Sequence, residues 1–330
     1  MAKRSFLAKP VWQFFRGIPE WRRRVPWRHP VLRASYWVAG ALAAAYVVVV
    51  LTGAYFIYNK NTTNTVTAFA ERIYAYPAAR AAGETISLRR FRIEVAARMF
   101  YTQKHGLTVT QKETEQFVIN ELITRVLFQK TLKDRNIFVD ERAIDEELKT
   151  IYDRVGGKEK MAQFLSENYG DSVDIALFET WLRETAPENV IEQQVLTTAT
   201  VRHILLRVDE EAKAEDVEAA RKKAVDVRAK IADTSQFAEV AKQESNDVAS
   251  RDDGGLLKTT NRGSDSPVFS KDFEDAIFSL PVNVVSEPIR TSYGWHLVVV
   301  DQRSGTEDVS KKAFAQKLRD AGSVVVYVGK

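Results

Sequence analysis

The chain has 330 residues, enough for two or three domains, and its 45% hydrophobic and 28% charged residues are those of ordinary folded protein, which excludes bulk disorder. It contains no cysteine, so disulfides, thiolate metal sites, a cysteine nucleophile and a lipid-bearing anchor cysteine are all excluded. The formal net charge of +4 is no nucleic-acid signature: Lys3, Arg4, Lys9, Arg16, Arg22, Arg23, Arg24, Arg28 and Arg33 face Glu20 alone, and the rest of the chain is slightly acidic, so no nucleic-acid partner is expected.

Residues 1–33 read as a basic cytoplasmic tail and residues 34–58 as a transmembrane helix. No charge occurs from Ala34 to Asn59, a run longer than the roughly 20 residues a helix needs to cross the hydrocarbon core. Tyr36 and Trp37 at one end, and Tyr55, Phe56 and Tyr58 at the other, stand where an aromatic belt lies. The run starts too late and is too long for a cleaved signal peptide, and it lacks the polar face of a buried core helix. Nine basic residues precede it and only Lys60 follows closely, which predicts a single pass through the inner (cytoplasmic) membrane. The N-terminus is then cytoplasmic and the bulk of the chain extracytoplasmic.

Residues 59–80 read as a polar juxtamembrane segment running into a short helix, without visible chemistry. Residues 81–197 read as a helical domain. Gly83 to Ser87 predicts a short strand or turn, with Ser87 capping a helix that follows. Over residues 111–133, Phe117, Ile119, Leu122, Ile123, Val126, Leu127 and Leu132 recur at helical period, predicting a buried stripe. A helix from Asp140 to the Gly156-Gly157 stop and two more before residue 197 complete the region. These stripes are first of all core packing, and no catalytic or metal-ligand cluster accompanies them.

From Ala199 the texture changes to strand, two charged helices, the Gly254-Gly255 pair, a short helix and a final strand. This order predicts a compact α+β domain over residues 198–304. A charged helix ending at Gly322 and the β-branched run Val324 to Val328 close the chain over residues 305–330. An exposed edge of that composition would be sticky, so the strand is expected to pair.

The GETIS strand, NELITRVLFQKTLKDRNIFVDERAIDEEL, FLSENYG and FETWLRE resemble, in spacing and composition, the N-terminal chaperone domain of SurA-type proteins. Arg202-His203-Ile204-Leu205, Ser245-Asn246-Asp247, Gly254-Gly255, Phe273-Glu274-Asp275-Ala276, Pro288-Ile289 and Gly294-Trp295-His296-Leu297 resemble, in order, the parvulin family of peptidyl-prolyl isomerases in its bacterial PrsA/SurA form. The whole is similar to the SurA/PrsA/PpiD-like membrane-anchored foldases.

The resemblance implies an FKBP-like α+β fold for residues 198–304. It implies His203 and His296 as the paired active-site histidines, Asp247 as the acidic partner, and Leu257, Phe269, Phe273 and Tyr293 around the proline pocket. It also implies a C-terminal strand that returns to the helical domain near Ala82 to Leu88. No metal or cofactor is implied. The partners would be unfolded or newly exported polypeptides with X-Pro bonds. Rotation about such a bond meets a barrier of about 18–20 kcal/mol but breaks no bond, so an apolar pocket with a polarised surround suffices.

The residues themselves leave other readings open. Two strand-borne histidines can equally be a hydrogen-bonded core pair that only joins two strands. Leu256-Leu257-Lys258 stands where the family has Asp-Leu-Gly, Arg202 replaces a small residue, Tyr293 stands where some members have serine, and Phe269 is bulkier than the usual methionine. An active isomerase with a chaperone surface, a catalytically weak peptide-binding module and a membrane scaffold are the three functions these features leave.

Overall fold

A computed structural model describes residues 30–59, 64–257, 259–263 and 270–328. It is a mixed, mostly helical α+β protein in two units, residues 1–76 and 77–330.

In the first unit, α1 (Pro30–Asn59) contains the stretch Trp37–Asn59, which is long and apolar enough to cross a membrane. The expected basic tail lies almost wholly outside the described residues. A second helix, α2 (Thr65–Ile73), is opened by a reciprocal cap in which Asn64 Oδ1 accepts from Thr67 N–H and Thr67 Oγ1 accepts from Asn64 N–H.

The second unit begins with β1 (Pro77–Ala81), an antiparallel strand flanked by β2 (Glu84–Ser87) on one side and β7 (Val324–Val326) on the other. The C-terminal strand thus pairs with residues 79–81, not with the 82–88 stretch, which is β2 on the far side of β1. Most of β1 falls in the 59–80 stretch expected to be juxtamembrane, and its Pro-Ala-Ala-Arg-Ala sequence has no β-branched residue to signal a strand. Its alanines 78, 79 and 81 are instead fully buried, as the centre of a small sheet under helices requires.

Five helices follow: α3 (Leu88–Lys104), α4 (Gln111–Asp134), α5 (Glu141–Val155), α6 (Lys158–Tyr169) and α7 (Ile175–Val190), the last running into a π turn at Ile191–Val195. Their ends are chemically marked. Ser87, Thr110, Asp140 and Asp174 cap the N-termini of α3, α4, α5 and α7, and Gly156 ends α5 in the left-handed conformation. The predicted α4 stripe is buried at Ile119, Leu122, Ile123, Leu127 and Leu132. Phe117 departs from it: it is 43% exposed, and the Arg98 guanidinium lies 3.6 Å over its ring, so the cation covers the face that a core would have.

The α+β part is a four-stranded antiparallel sheet in the order β4-β3-β6-β5, built from β3 (Thr198–Arg207), β4 (Thr260–Asn261), β5 (Ile289–Thr291) and β6 (Gly294–Ser304). Alternation along β3 and β6 gives the sheet two apolar faces. Ile204, Leu206, Leu297 and Val299 pack under α8 (Ala214–Ala229) and α9 (Phe237–Glu244). Ala199, Val201, Val298 and Val300 pack under α10 (Lys271–Ser279). The chain enters and leaves this sheet side by side. Leu196 bridges Glu307 in parallel, and Thr306 and Glu307 N–H groups donate to Val195 O. From there α11 (Lys311–Ala321) sets Phe314 against Phe128, Leu132 and Ile191.

Candidate active site

His203 and His296 lie on the α10 face of the two central strands, where alternation turns them the same way as Val201 and Val298. Both are buried, with 1% and 0% of their surface exposed. Their rings stack at 5.3 Å between centroids, and the two Nδ1 atoms are 3.2 Å apart. Phe273, from the first turn of α10, stands edge-on to both, at 6.1 Å from His203 and 4.9 Å from His296.

The free edge of β3 is occupied by a loop acting as a strand. Asn246 N–H donates to Leu205 O, Arg207 N–H donates to Asn246 Oδ1, and Leu205 N–H donates to Ser245 Oγ. That pairing brings Asp247 to His203, with Oδ2 2.8 Å from Nε2. Gly255 completes the edge by accepting the His203 N–H at 2.8 Å. Its φ is +79°, and a Cβ there would sit 2.2 Å from His203 O, so only glycine fits so close to the histidine backbone.

Two residues not expected from the sequence join the site. Ser250 Oγ–H donates to Asp247 Oδ2 at 2.5 Å and lies 3.1 Å from His203 Nε2. Thr291 Oγ1 is 2.8 Å from His296 Nε2 and accepts the Tyr293 N–H. The sequence signal for Ser250 is a hydroxyl three residues beyond Asp247, whereas Thr291 reaches His296 only through the β5–β6 hairpin register.

The electrostatics give this network a direction. Burial raises the Asp247 carboxyl, but hydrogen bonds from Ser250 and His203 outweigh it and hold the group below its usual range, hence ionised and acceptor-only. Burial lowers His203 against the opposing pull of Asp247, and burial, with His203 next, pushes His296 down to about 3. Both rings are therefore neutral at pH 7. With a carboxylate at one end, the proton assignment that fills every bond has His203 Nε2–H donating to Asp247, His296 Nδ1–H donating to His203 Nδ1, and the Thr291 hydroxyl donating to His296 Nε2. Every ring nitrogen is then engaged, so the pair has no spare site for proton exchange.

Of the remaining expected residues, Leu257 is half-buried against the Phe273 and Val201 cluster, its N–H donating to Val201 O. Tyr293 is exposed at the β5–β6 turn and reaches the site through its backbone. Phe269 lies outside the described residues. No cluster of three or more metal-ligating side chains occurs among the described residues.

Among the described residues, the helical part carries two cavities that share Tyr169 and Trp181 as walls. One, of about 370 Å³, is walled by Ile151, Met161, Phe164, Leu165, Phe178 and Trp181, and the other, of about 290 Å³, by Tyr101, Phe117, Arg125, Tyr169 and Trp181. Buried N–H groups of Trp181 (Nε1) and Arg125 (Nε) have no hydrogen-bond partner among the described residues.

Residues 203–302 match the family model described as "PPIC-type PPIASE domain". Among curated proteins, the chain is 33% identical over 132 residues to Chaperone SurA of Saccharophagus degradans, covering 39% of this chain and 28% of that protein. It is 27% identical over 212 residues to Foldase protein PrsA of Staphylococcus aureus, covering 61% of this chain and 63% of that one. Neither alignment reaches two thirds of the relative's length. Among solved structures, a SurA-like chaperone of Campylobacter jejuni is matched over 72% of this chain and 87% of its own, at 18% identity and a TM-score of 0.29. For PrsA of Bacillus cereus the coverage is 72% and 80%, the identity 20% and the TM-score 0.26. The chain therefore carries a PpiC-type, parvulin-like peptidyl-prolyl isomerase domain and is related to the SurA and PrsA proteins.

Proposed function

We propose that this is a membrane-tethered, extracytoplasmic peptidyl-prolyl isomerase and chaperone for exported polypeptides. The observation that carries the catalytic half is the buried Thr291–His296–His203 row ending on the part-exposed Asp247 carboxylate, inside the PPIC-type domain. A fixed row of aligned dipoles in a low-dielectric site costs no reorganisation during the reaction and favours the twisted amide over either planar form. In this reading Asp247, Leu257 and Tyr293, which solvent reaches, line the substrate side, while His203, His296 and Phe273 shape the pocket from behind.

The domain plan that accompanies this reading is a basic cytoplasmic tail, one span, and a helical domain of residues 81–197 and 305–330 into which residues 198–304 are inserted. Pairing of β7 with β1 and the adjacent chain passages at Leu196 and Glu307 support it. For the tether, the support is the long apolar helix α1 and the basic residues before it.

A second reading, a catalytically weak domain that grips peptides, is favoured by the complete burial of His203, His296 and Phe273 and by the two aromatic-walled cavities of the helical part. The test is the rate at which the full chain, in detergent micelles, isomerises a short X-Pro peptide, with His203→Ala and Asp247→Ala beside it. Acceleration that both variants lose supports the enzyme. A folded wild type with no acceleration moves the function to peptide binding.

A further inference from the structure

The α1–α2 unit carries an apolar side that a single membrane span leaves unused. The two helices are in close contact. A Cβ on Gly53 would meet Tyr76 Oη at 2.3 Å and Ala70 Cβ at 2.5 Å, so α1 admits α2 and Tyr76 only because glycine stands there. The Tyr76 hydroxyl donates to Val50 O at 2.7 Å, which lets a phenol lie against the apolar helix with its polar atom satisfied.

Depth follows from helix geometry. The 30 residues of α1 measure about 45 Å at 1.5 Å each, close to a bilayer with both headgroup layers. Val50 stands nine residues before Asn59, so Tyr76 reaches about 13 Å back along α1. If α1 spans the bilayer, a helix packed beside that last 13 Å lies level with one headgroup layer and the first part of the acyl chains.

The exposed side of α2 fits that level. Val66, Phe69 and Ile73 are 49%, 54% and 38% exposed and recur at i, i+3 and i+7, while Thr67 and Ala70 on the other side are buried. On α1, Leu51 and Tyr55 are exposed over the same axial range. Arg72, exposed beside the stripe, has an apolar stem long enough to keep its guanidinium among phosphates. An apolar stripe flanked by a cation is the make-up of a helix that lies in a membrane surface.

We propose that α2 is an interfacial helix. It lies in the leaflet at the C-terminal end of α1, with Val66, Phe69 and Ile73 against phospholipid acyl chains, and forms with α1 a hairpin that fixes how deep the span sits. The proposal rests on α1 crossing the membrane, and its test separates the two.

The sequence has no cysteine, so single-cysteine labelling needs no background removal. Leu42→Cys on α1, Phe69→Cys and Val66→Cys on α2, and Lys149→Cys on α5 are each labelled with a small fluorophore. The full chain is placed, one copy per disc, in nanodiscs of a single phosphatidylcholine doped with lipids bearing a nitroxide at a shallow or a deep acyl position. The expected result is loss of fluorescence at Leu42, stronger with the deep nitroxide, and loss at both α2 sites, stronger with the shallow one. Lys149 keeps its intensity. Loss at Leu42 with none at Phe69 and Val66 overturns the proposal and leaves the span standing, with the stripe facing water or another protein. No loss at Leu42 overturns the span and the proposal together.

Discussion

The two buried histidines make the isomerase domain sensitive to acid well above the carboxylate range. The perturbation is a change from about pH 8 to about pH 5. His296 has a folded pKa of about 3, depressed first by burial and next by His203, against about 6.5 in an unfolded chain. A depressed folded pKa means that the stabilisation is complete above about pH 6.5 and is lost as pH falls toward the folded value, because only the unfolded chain takes up the proton. At about 1.4 kcal/mol per pH unit, His296 alone leaves the domain about 2 kcal/mol less stable at about pH 5, roughly a thirty-fold change in the opening equilibrium. His203, also lowered, acts in the same direction.

Hydrogen exchange of the β3 and β6 amides, corrected for its intrinsic pH dependence, reads this locally. His296→Leu is the control. It is weaker at every pH, since His203 Nδ1 and the Thr291 hydroxyl lose their partner at about 1–3 kcal/mol each, but its protection falls less steeply with acid. Equal wild-type protection at the two pH values, or the same slope in His296→Leu, refutes the assignment of neutral buried rings.

Two further outcomes follow from close packing. Gly255→Ala puts a Cβ 2.2 Å from His203 O at a φ of +79°, so β3 must move at the histidine. Isomerase activity should fall and thermal unfolding of the domain should come earlier by the equivalent of about 2 kcal/mol or more, and an unchanged melting curve would contradict the close approach. Phe314→Ala empties a buried ring that stacks on Phe128 at 6.1 Å. It should cost the helical part about 3–5 kcal/mol in denaturant unfolding while leaving the β3–β6 amides protected, whereas equal loss in both places would mean that they unfold as one.

Much of the helical part was legible because its signals are local. Ser87, Asp140 and Gly156 mark helix ends through their own backbone chemistry, and the α4 stripe follows from period alone. β1 was not legible, because an alanine-rich strand is made a strand by the neighbours on both its edges, which lie far away in sequence. Phe117 failed for a related reason: periodicity says which way a ring points, but a cation from α3 can cover it as well as a core can. At the site, the meeting of His203, His296, Asp247 and Phe273 was implied by a resemblance, whereas Thr291 depends on hairpin register and the direction of the hydrogen-bond chain on burial.

The long return of β7 to β1 asks for a physical cause, and two are available. The first is the neck, where Leu196 and Glu307 hold the two chain passages together and Gly305 lets them approach, its absent Cβ lying 2.1 Å from Leu196 O. Closing the neck reduces the chain to be gathered between Ala81 and Val324 from roughly 240 residues to roughly 130. Because closure entropy grows only as (3/2)RT ln n, that saves about 0.5 kcal/mol. The second cause is α11, whose Phe314 is buried on Phe128 and Ile191, a contact worth about 3–5 kcal/mol by the cost of truncating such a ring. Arg135 adds bonds to Thr306 and Glu307, and Arg319 donates to Asn120 and Thr124, across the same seam. Packing therefore outweighs the shortened loop several-fold. The strand returns because α11 is anchored on α4, and three residues of β7 are enough to finish a sheet that the helix has already brought within reach.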